Sequence, residues 1–312
     1  MRGVPNLKVM ALTLLPILLL TACSQEIRRT ESATVITQSD VSSISISPIE
    51  NIGNFRVVAL ANGAAELIAA MGYRDNLVGR DIASSTPELK DVPIVTSGHQ
   101  VLPETIIALN PALVIVDSAT GPQSAITKIQ NSGIKVVTVL QSWNMSDVSK
   151  KVAQLGDALK APKSVELLIA KLEAAVAGSK ISTSSNKRPK IAFLYLRGTS
   201  SIYLVGGKDS GADYLIEATG GIDVGAQVLD NPFNPLTAET MAMLNPDIIL
   251  VMIGGLESVG GLAGLKDLPG IAQTPAGKSG SVVAVDDSLL LSFGPRTPSL
   301  IEQLSIAFTD FV

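Results

Sequence analysis

The chain of 312 residues has one cysteine, one histidine and one tryptophan, and aromatic residues make up only 4% of it. A single cysteine, Cys23, excludes an internal disulfide and a thiolate metal cluster. A single histidine, His99, leaves no pair for the nitrogen-rich sites of zinc or manganese. Charged residues are 17% and the formal net charge is −4, with a pI near 5.2, so no basic face is available for nucleic acid. The motifs of common enzymes are missing too: the sequence contains no G-x-S-x-G, no phosphate loop, no G-x-G-x-x-G and no H-E-x-x-H. The chain reads as a binding protein rather than an enzyme.

What is present begins with a leader. Arg2 and Lys8 precede a mostly apolar stretch, Val9 to Leu20, too short for a comfortable membrane span, and Leu20-Thr21-Ala22-Cys23 closes it. This is a signal peptide over residues 1–22. The small residues before Cys23 resemble the lipobox of bacterial lipoproteins. The resemblance implies a lipid on Cys23 and a location on the outer face of the cell membrane. Residues 23–54, rich in Ser, Thr, Ile and Glu, read as a flexible tether.

Beyond the tether, short apolar runs alternate with helical segments. Arg56 to Leu60, Leu77 to Asp81, Leu113 to Val116 and Val136 to Leu140 are expected strands, and Gly72 and Gly133 end the intervening helices. Residues 144–185 lack a strand signal; Val148, Val152, Leu155, Leu159, Leu168, Leu172 and Val176 recur at helical spacing, with Pro162 marking a break or a second start. A second series of strands begins at Lys190 and ends at Val282 to Val285, with Gly254 to Gly264 expected as a glycine-rich loop. One pattern occurs twice. Glu104-Thr-x-x-x-Leu109-Asn110-Pro111 and Glu239-Thr-x-x-x-Leu244-Asn245-Pro246 share five of eight residues, stand 135 positions apart, and each runs into an apolar strand. A repeat of that kind indicates two similar lobes: an N-terminal lobe over 55–143, a connecting helix over 144–185 and a C-terminal lobe over 186–312. The expected class is α/β, with two Rossmann-like lobes, each built on a mostly parallel sheet.

These residues resemble the substrate-binding lipoproteins of ABC importers for haem, siderophores or cobalamin, which are two-lobed and helix-linked (class III periplasmic-binding-protein-like). The carriers are Arg56-Val-Val-Ala-Leu60, Leu77-Val-Gly-Arg-Asp81, the two Glu-Thr-x-x-x-Leu-Asn-Pro units and Gly220-Gly221. Ser97-Gly98-His99-Gln100, Tyr195-Leu196-Arg197, Gly255 to Gly261 and Phe293-Gly-Pro-Arg-Thr-Pro298 are most similar to the haem-binding members. The resemblance implies haem as the transported ligand, a permease dimer as partner, and upstream haem-capturing surface proteins as donors. It implies His99 from one lobe and Tyr195 from the other as iron ligands. A neutral imidazole nitrogen and a phenolate oxygen both suit ferric haem. Tyrosine as a residue type ionises near pH 10, and a cation nearby favours the phenolate. Arg197, two positions on, projects to the same face of a strand as Tyr195 and is read as the supporting donor. Trp143, Met145, Phe233, Met252 and Phe293 are expected pocket walls, and Arg80 and Arg296 expected propionate contacts, because a guanidinium forks onto a carboxylate. Glu104 and Glu239, one per lobe, are expected to meet the permease. A ferric siderophore or cobalamin is the alternative ligand.

Overall fold

The computed structural model describes Met1 and residues 33–98, 100–179 and 188–311. Cys23, with the rest of the leader, and His99 lie outside the described residues. Thirteen strands are described: β1 (Thr34–Ile36), β2 (Val57–Ala59), β3 (Leu77–Arg80), β4 (Thr96–Ser97), β5 (Gln100–Val101), β6 (Leu113–Val116), β7 (Lys135–Thr138), β8 (Lys190–Arg197), β9 (Ile202–Gly206), β10 (Ile222–Asp223), β11 (Phe233–Pro235), β12 (Ile248–Met252) and β13 (Val282–Val285). The N-terminal lobe is built on a parallel sheet in the order β3-β2-β6-β7, with β4 and β5 as a separate antiparallel pair. The C-terminal lobe is built on the order β1-β13-β12-β8-β9-β11, with β10 beside the start of β8. In that sheet β9 pairs antiparallel with both β8 and β11, and the other pairings are parallel.

Side chains of successive strand residues point to opposite faces, and here each face meets its own core. Val57, Ala59, Leu113 and Ile115 of one sheet, and Ile191, Phe193, Leu250 and Val283 of the other, join a single cluster. That cluster is completed by Val148, Val152 and Leu155, by Leu168 and Leu172, and by Leu300, Ile301 and Leu304 of the final helix, Thr297–Thr309. The outward faces pack separately: Val58, Val114 and Val116 in one cluster, Ala192, Leu194, Ile249 and Val251 in another. The two lobes therefore share one apolar core on their facing sides.

The duplicated unit is a repeated backbone device. Its helices, Pro103–Ala108 and Ala238–Leu244, are followed by Asn110 and Asn245 in the left-handed region, at φ 47° and 43°. Asparagine enters that region more readily than most residues, and the following proline cannot extend the helix. Each then enters a buried strand, β6 or β12.

Three expectations change. The tether is not wholly a tether: residues 34–36 form β1, paired in parallel with β13, and Ile36 and Ile46 are buried. The alternation of Val35 outward and Ile36 inward is a strand pattern too short to stand out from a Ser/Thr-rich background. The connector is two helices, Met145–Leu159 and Pro162–Gly178, packed on each other; Lys160 in the left-handed region closes the first and Pro162 opens the second. The glycine-rich stretch from Gly254 is helical, as Ile253–Ser258 and Gly261–Asp267, because Leu256 and Leu265 bury against the C-lobe sheet and outweigh the glycine cost.

Candidate ligand-binding site

Ligands of open parallel sheets bind beyond the carboxyl ends of the strands, and a cleft between the lobes lies there. It has a volume of about 480 Å³ and is bordered by Asn62 after β2, Asp81 to Ala83 after β3, Asp117 and Ala119 to Gly121 after β6 and Gln141 and Trp143 after β7. Tyr195, Arg197, Leu204 and Phe233 of β8, β9 and β11 form the opposite wall. Thr96, Gly98 and Val101 of the β4–β5 pair border it as well.

β8 carries its residues from the shared core out to this cleft along one face. Ile191 and Phe193 are buried, Tyr195 is half-buried and Arg197 is exposed. Arg197 Nε donates to Tyr195 Oη at 2.5 Å, and the guanidinium lies 5.3 Å from the ring centroid. Phe233 packs edge-on against the Tyr195 ring, centroids 5.5 Å apart. The phenol is thus braced on one side by an aromatic ring and on its oxygen by a cation.

The N-lobe wall is set by two carboxylates that fold their own loops. Asp81 accepts from the Ser84 hydroxyl and, at 3.0 Å, from the Ala83 N–H. Burial raises its carboxyl above the ordinary range, with those hydrogen bonds opposing. Asp117 accepts from the N–H groups of Asn62 and Ala119 and from the Thr120 hydroxyl, at 2.9, 3.1 and 2.8 Å.

Of the residues expected from sequence, Trp143, Phe233, Tyr195 and Arg197 border the cleft. Five others do not. Met252, the last residue of β12, is buried in the core that the two lobes share. Phe293 is buried behind Trp143, against Tyr214, with ring centroids 5.9 Å apart. Met145 is buried at the start of the connector and faces a separate groove. Arg80 is buried and spends its donors on the Leu89 and Asp81 carbonyls, at 3.0 and 3.2 Å. Arg296 is buried against Glu66. Both guanidiniums are committed inside the fold, so neither reaches the cleft as a propionate contact. Glu104 and Glu239 are exposed, each in the first turn of its helix, and Glu104 pairs with Lys128. Asn62, Asp117, Thr120 and Gln141 were not singled out in the sequence; each follows the end of an N-lobe strand, and the rule for parallel sheets applied strand by strand marks them.

The periplasmic binding protein family matches residues 57–289, and the chain belongs to that family. Among solved structures, the chain is similar to the periplasmic haem-binding protein RhuT of Roseiflexus sp. RS-1, at 36% identity over 83% of this chain and 99% of that one, with a TM-score of 0.78. It is similar to the haem-binding protein HmuT at 31% identity over 88% and 94% of the two chains, TM-score 0.74. Structures of HmuT include alanine variants of a histidine, a tyrosine and an arginine, the last two standing two positions apart. A curated relative, the ABC transporter substrate-binding lipoprotein YvrC of Bacillus subtilis, is 26% identical over 80% of this chain and 78% of its own. The vitamin B12-binding protein of Vibrio vulnificus is 26% identical over 86% of this chain and 93% of its own.

Proposed function

We propose that this chain is the substrate-binding lipoprotein of an ABC importer and that its ligand is ferric haem, held in the interlobe cleft and handed to a permease dimer. The observation that carries the reading is the Tyr195–Arg197 pair, whose oxygen and guanidinium sit together on one wall of a largely apolar cleft. The Arg197 N–H bond stabilises negative charge on the phenolic oxygen, which is the form that binds ferric iron. Phe233 and Trp143 offer flat apolar surface to a macrocycle. His99 supplies the second iron ligand in this reading; its sequence neighbour Gly98 borders the opposite wall. The tyrosine–arginine spacing of the HmuT variants is the spacing of Tyr195 and Arg197.

The lipid on Cys23 holds the protein on the extracytoplasmic face of the membrane, in keeping with the lipoprotein relative. Glu104 and Glu239 give the permease equivalent carboxylates at matching points of the two lobes. Upstream haem-capturing surface proteins are the expected donors. The shared core and the paired connector helices support small lobe movements.

A visible-light titration of the mature protein with hemin tests the ligand. A haem band that forms with the natural chain and is lost in His99→Ala and Tyr195→Ala supports the assignment. A cobalamin reading is favoured by the vitamin B12-binding relatives; cyanocobalamin binding in the absence of any hemin band would replace haem with it.

A further inference from the structure

Lys151 interrupts the apolar stripe of the first connector helix, between Val148 and Val152, and is 1% exposed. Burial draws its ammonium down to about 8, against the attraction of Asp117 and of Asp147 on its own helix. Taking an ammonium out of water is costly, and an apolar side chain of similar length would fill the stripe without that cost. Stability alone is therefore a poor account of this residue.

Its contacts lead to the cleft. Lys151 Nζ donates to the Asn62 carbonyl at 2.9 Å. The Asn62 N–H donates to Asp117 at 2.9 Å, and its side-chain oxygen accepts from the Ser292 hydroxyl at 2.7 Å. Asn62 is thus fixed from the connector, from the end of β6 and from the segment leading into the final helix. Asn62 and Asp117 both border the cleft. Lys151 lies one side chain behind them, on a small cavity of about 20 Å³ that shares Asn62, Gln141 and Trp143 with the cleft wall.

We propose that Lys151 is a specificity residue of the cleft: held behind the N-lobe wall by its bond to Asn62, its charge offsets Asp117 so that a ligand bearing carboxylates is accepted. This rests on the haem reading, because haem carries two carboxylates. The N-lobe wall presents Asp81 and Asp117 to the cleft, with Arg197 across from them. Without the ammonium, Asp117 repels an anionic ligand. One unit charge about 10 Å away, at an effective dielectric constant of about 20, changes binding roughly tenfold.

The test is an absorption titration of the full mature chain with ferric haem and with its dimethyl ester, in which the carboxylates are capped. Wild type, Lys151→Met, Asp117→Asn and the double variant are compared. Lys151→Met is expected to weaken haem about tenfold and the ester less than about threefold. The double variant is expected to return haem to within about threefold of wild type, because the repelling charge is gone with the compensating one. Equal losses for both porphyrins in Lys151→Met, or no loss for either, overturn the proposal and leave the haem reading standing. If Lys151→Met does not fold, Asp117→Asn decides: haem tightens relative to the ester, and an equal change in both overturns the proposal. A wild-type chain that binds neither porphyrin overturns the haem reading and this inference with it.

Discussion

Arg296 meets the carboxylate of Glu66 with two nitrogens, at 3.0 and 2.7 Å, across 230 positions of sequence. Glu66 stands on the first helix of the N-lobe, Ala64–Ile68, and Arg296 immediately precedes the final helix. Both are almost fully buried. Arg296 also reaches the Ser288 hydroxyl at 3.4 Å, and Gln38 joins Ser288 to Ser85 of the N-lobe. The end of the chain is thereby fastened to the beginning of the fold.

Removing one partner of a buried pair leaves the other charge uncompensated, at a cost of about 3–5 kcal/mol. Arg296→Met is expected to lower stability by that order in urea unfolding. Glu66→Leu combined with Arg296→Leu is expected to cost less than Arg296→Met alone. Because Arg296 does not border the cleft, hemin affinity of the folded Arg296→Met protein is expected within about threefold of wild type. A large affinity loss with little change in stability would reverse the assignment and return Arg296 to the ligand.

That pair shows where reading the sequence succeeded and where it stopped. The α/β class, the two lobes and the helical connector were legible because strand and helix periods are local. Tyr195 and Arg197 were legible as a pair because they lie two apart on one strand. Arg296 was misplaced because its partner is 230 positions away, and only the fold brings them together. β1 was lost for a similar reason: three residues carry too little pattern, and their identity as a strand comes from pairing with β13. Lys151 left a local signal, a charge inside an apolar stripe, but its target Asn62 lies 89 positions earlier.

Asp223 predicts a pH dependence of stability. It is 2% exposed, and its Oδ2 has no hydrogen-bond partner among the described residues, while Oδ1 accepts from the Ala226 N–H at 3.0 Å. Burial raises its carboxyl to about 7 from 3.8. The native state therefore holds this proton more tightly than the unfolded chain. The associated stability is full below about pH 4 and is lost as pH rises towards 7. Asp223→Asn removes this dependence. Urea midpoints taken across that range are expected to show the variant gaining on wild type as pH rises, by at most about 1.4 kcal/mol per pH unit. A constant difference across the range would show that Asp223 does not titrate there.

The N-terminal segment predicts a sharp boundary for truncation. Chains beginning at residue 33 retain β1, its pairing to β13 and the buried Ile36. Chains beginning at residue 38 lose all three. Burial of one isoleucine contributes about 1.5–3 kcal/mol, and the strand bonds add to it. The shorter chain is expected to melt several degrees lower, with the Asp286 N–H, which donates to the Ile36 carbonyl at 2.9 Å, exchanging faster. Equal melting temperatures for the two chains would return residues 34–37 to the tether.

If Tyr195 binds haem iron as proposed, Arg197 predicts a graded effect on that bond. Tyr195 stays in place without it, since Phe233 packs on its ring and β8 is held by β9, β10 and β12. Arg197→Met should therefore preserve tyrosine coordination while weakening it. Hemin affinity is expected to fall about tenfold, the scale of one charge-assisted hydrogen bond. The tyrosinate charge-transfer band is expected to persist but to move in wavelength, because the cation that donates to the phenol oxygen is gone. Arg197→Lys is expected to recover only part of the affinity, since an ammonium on a flexible stem replaces a planar donor aligned with the phenol oxygen. Tyr195→Phe should remove the band altogether. An Arg197→Met protein with the wild-type band and affinity would show that this arginine does not support ligand binding by Tyr195.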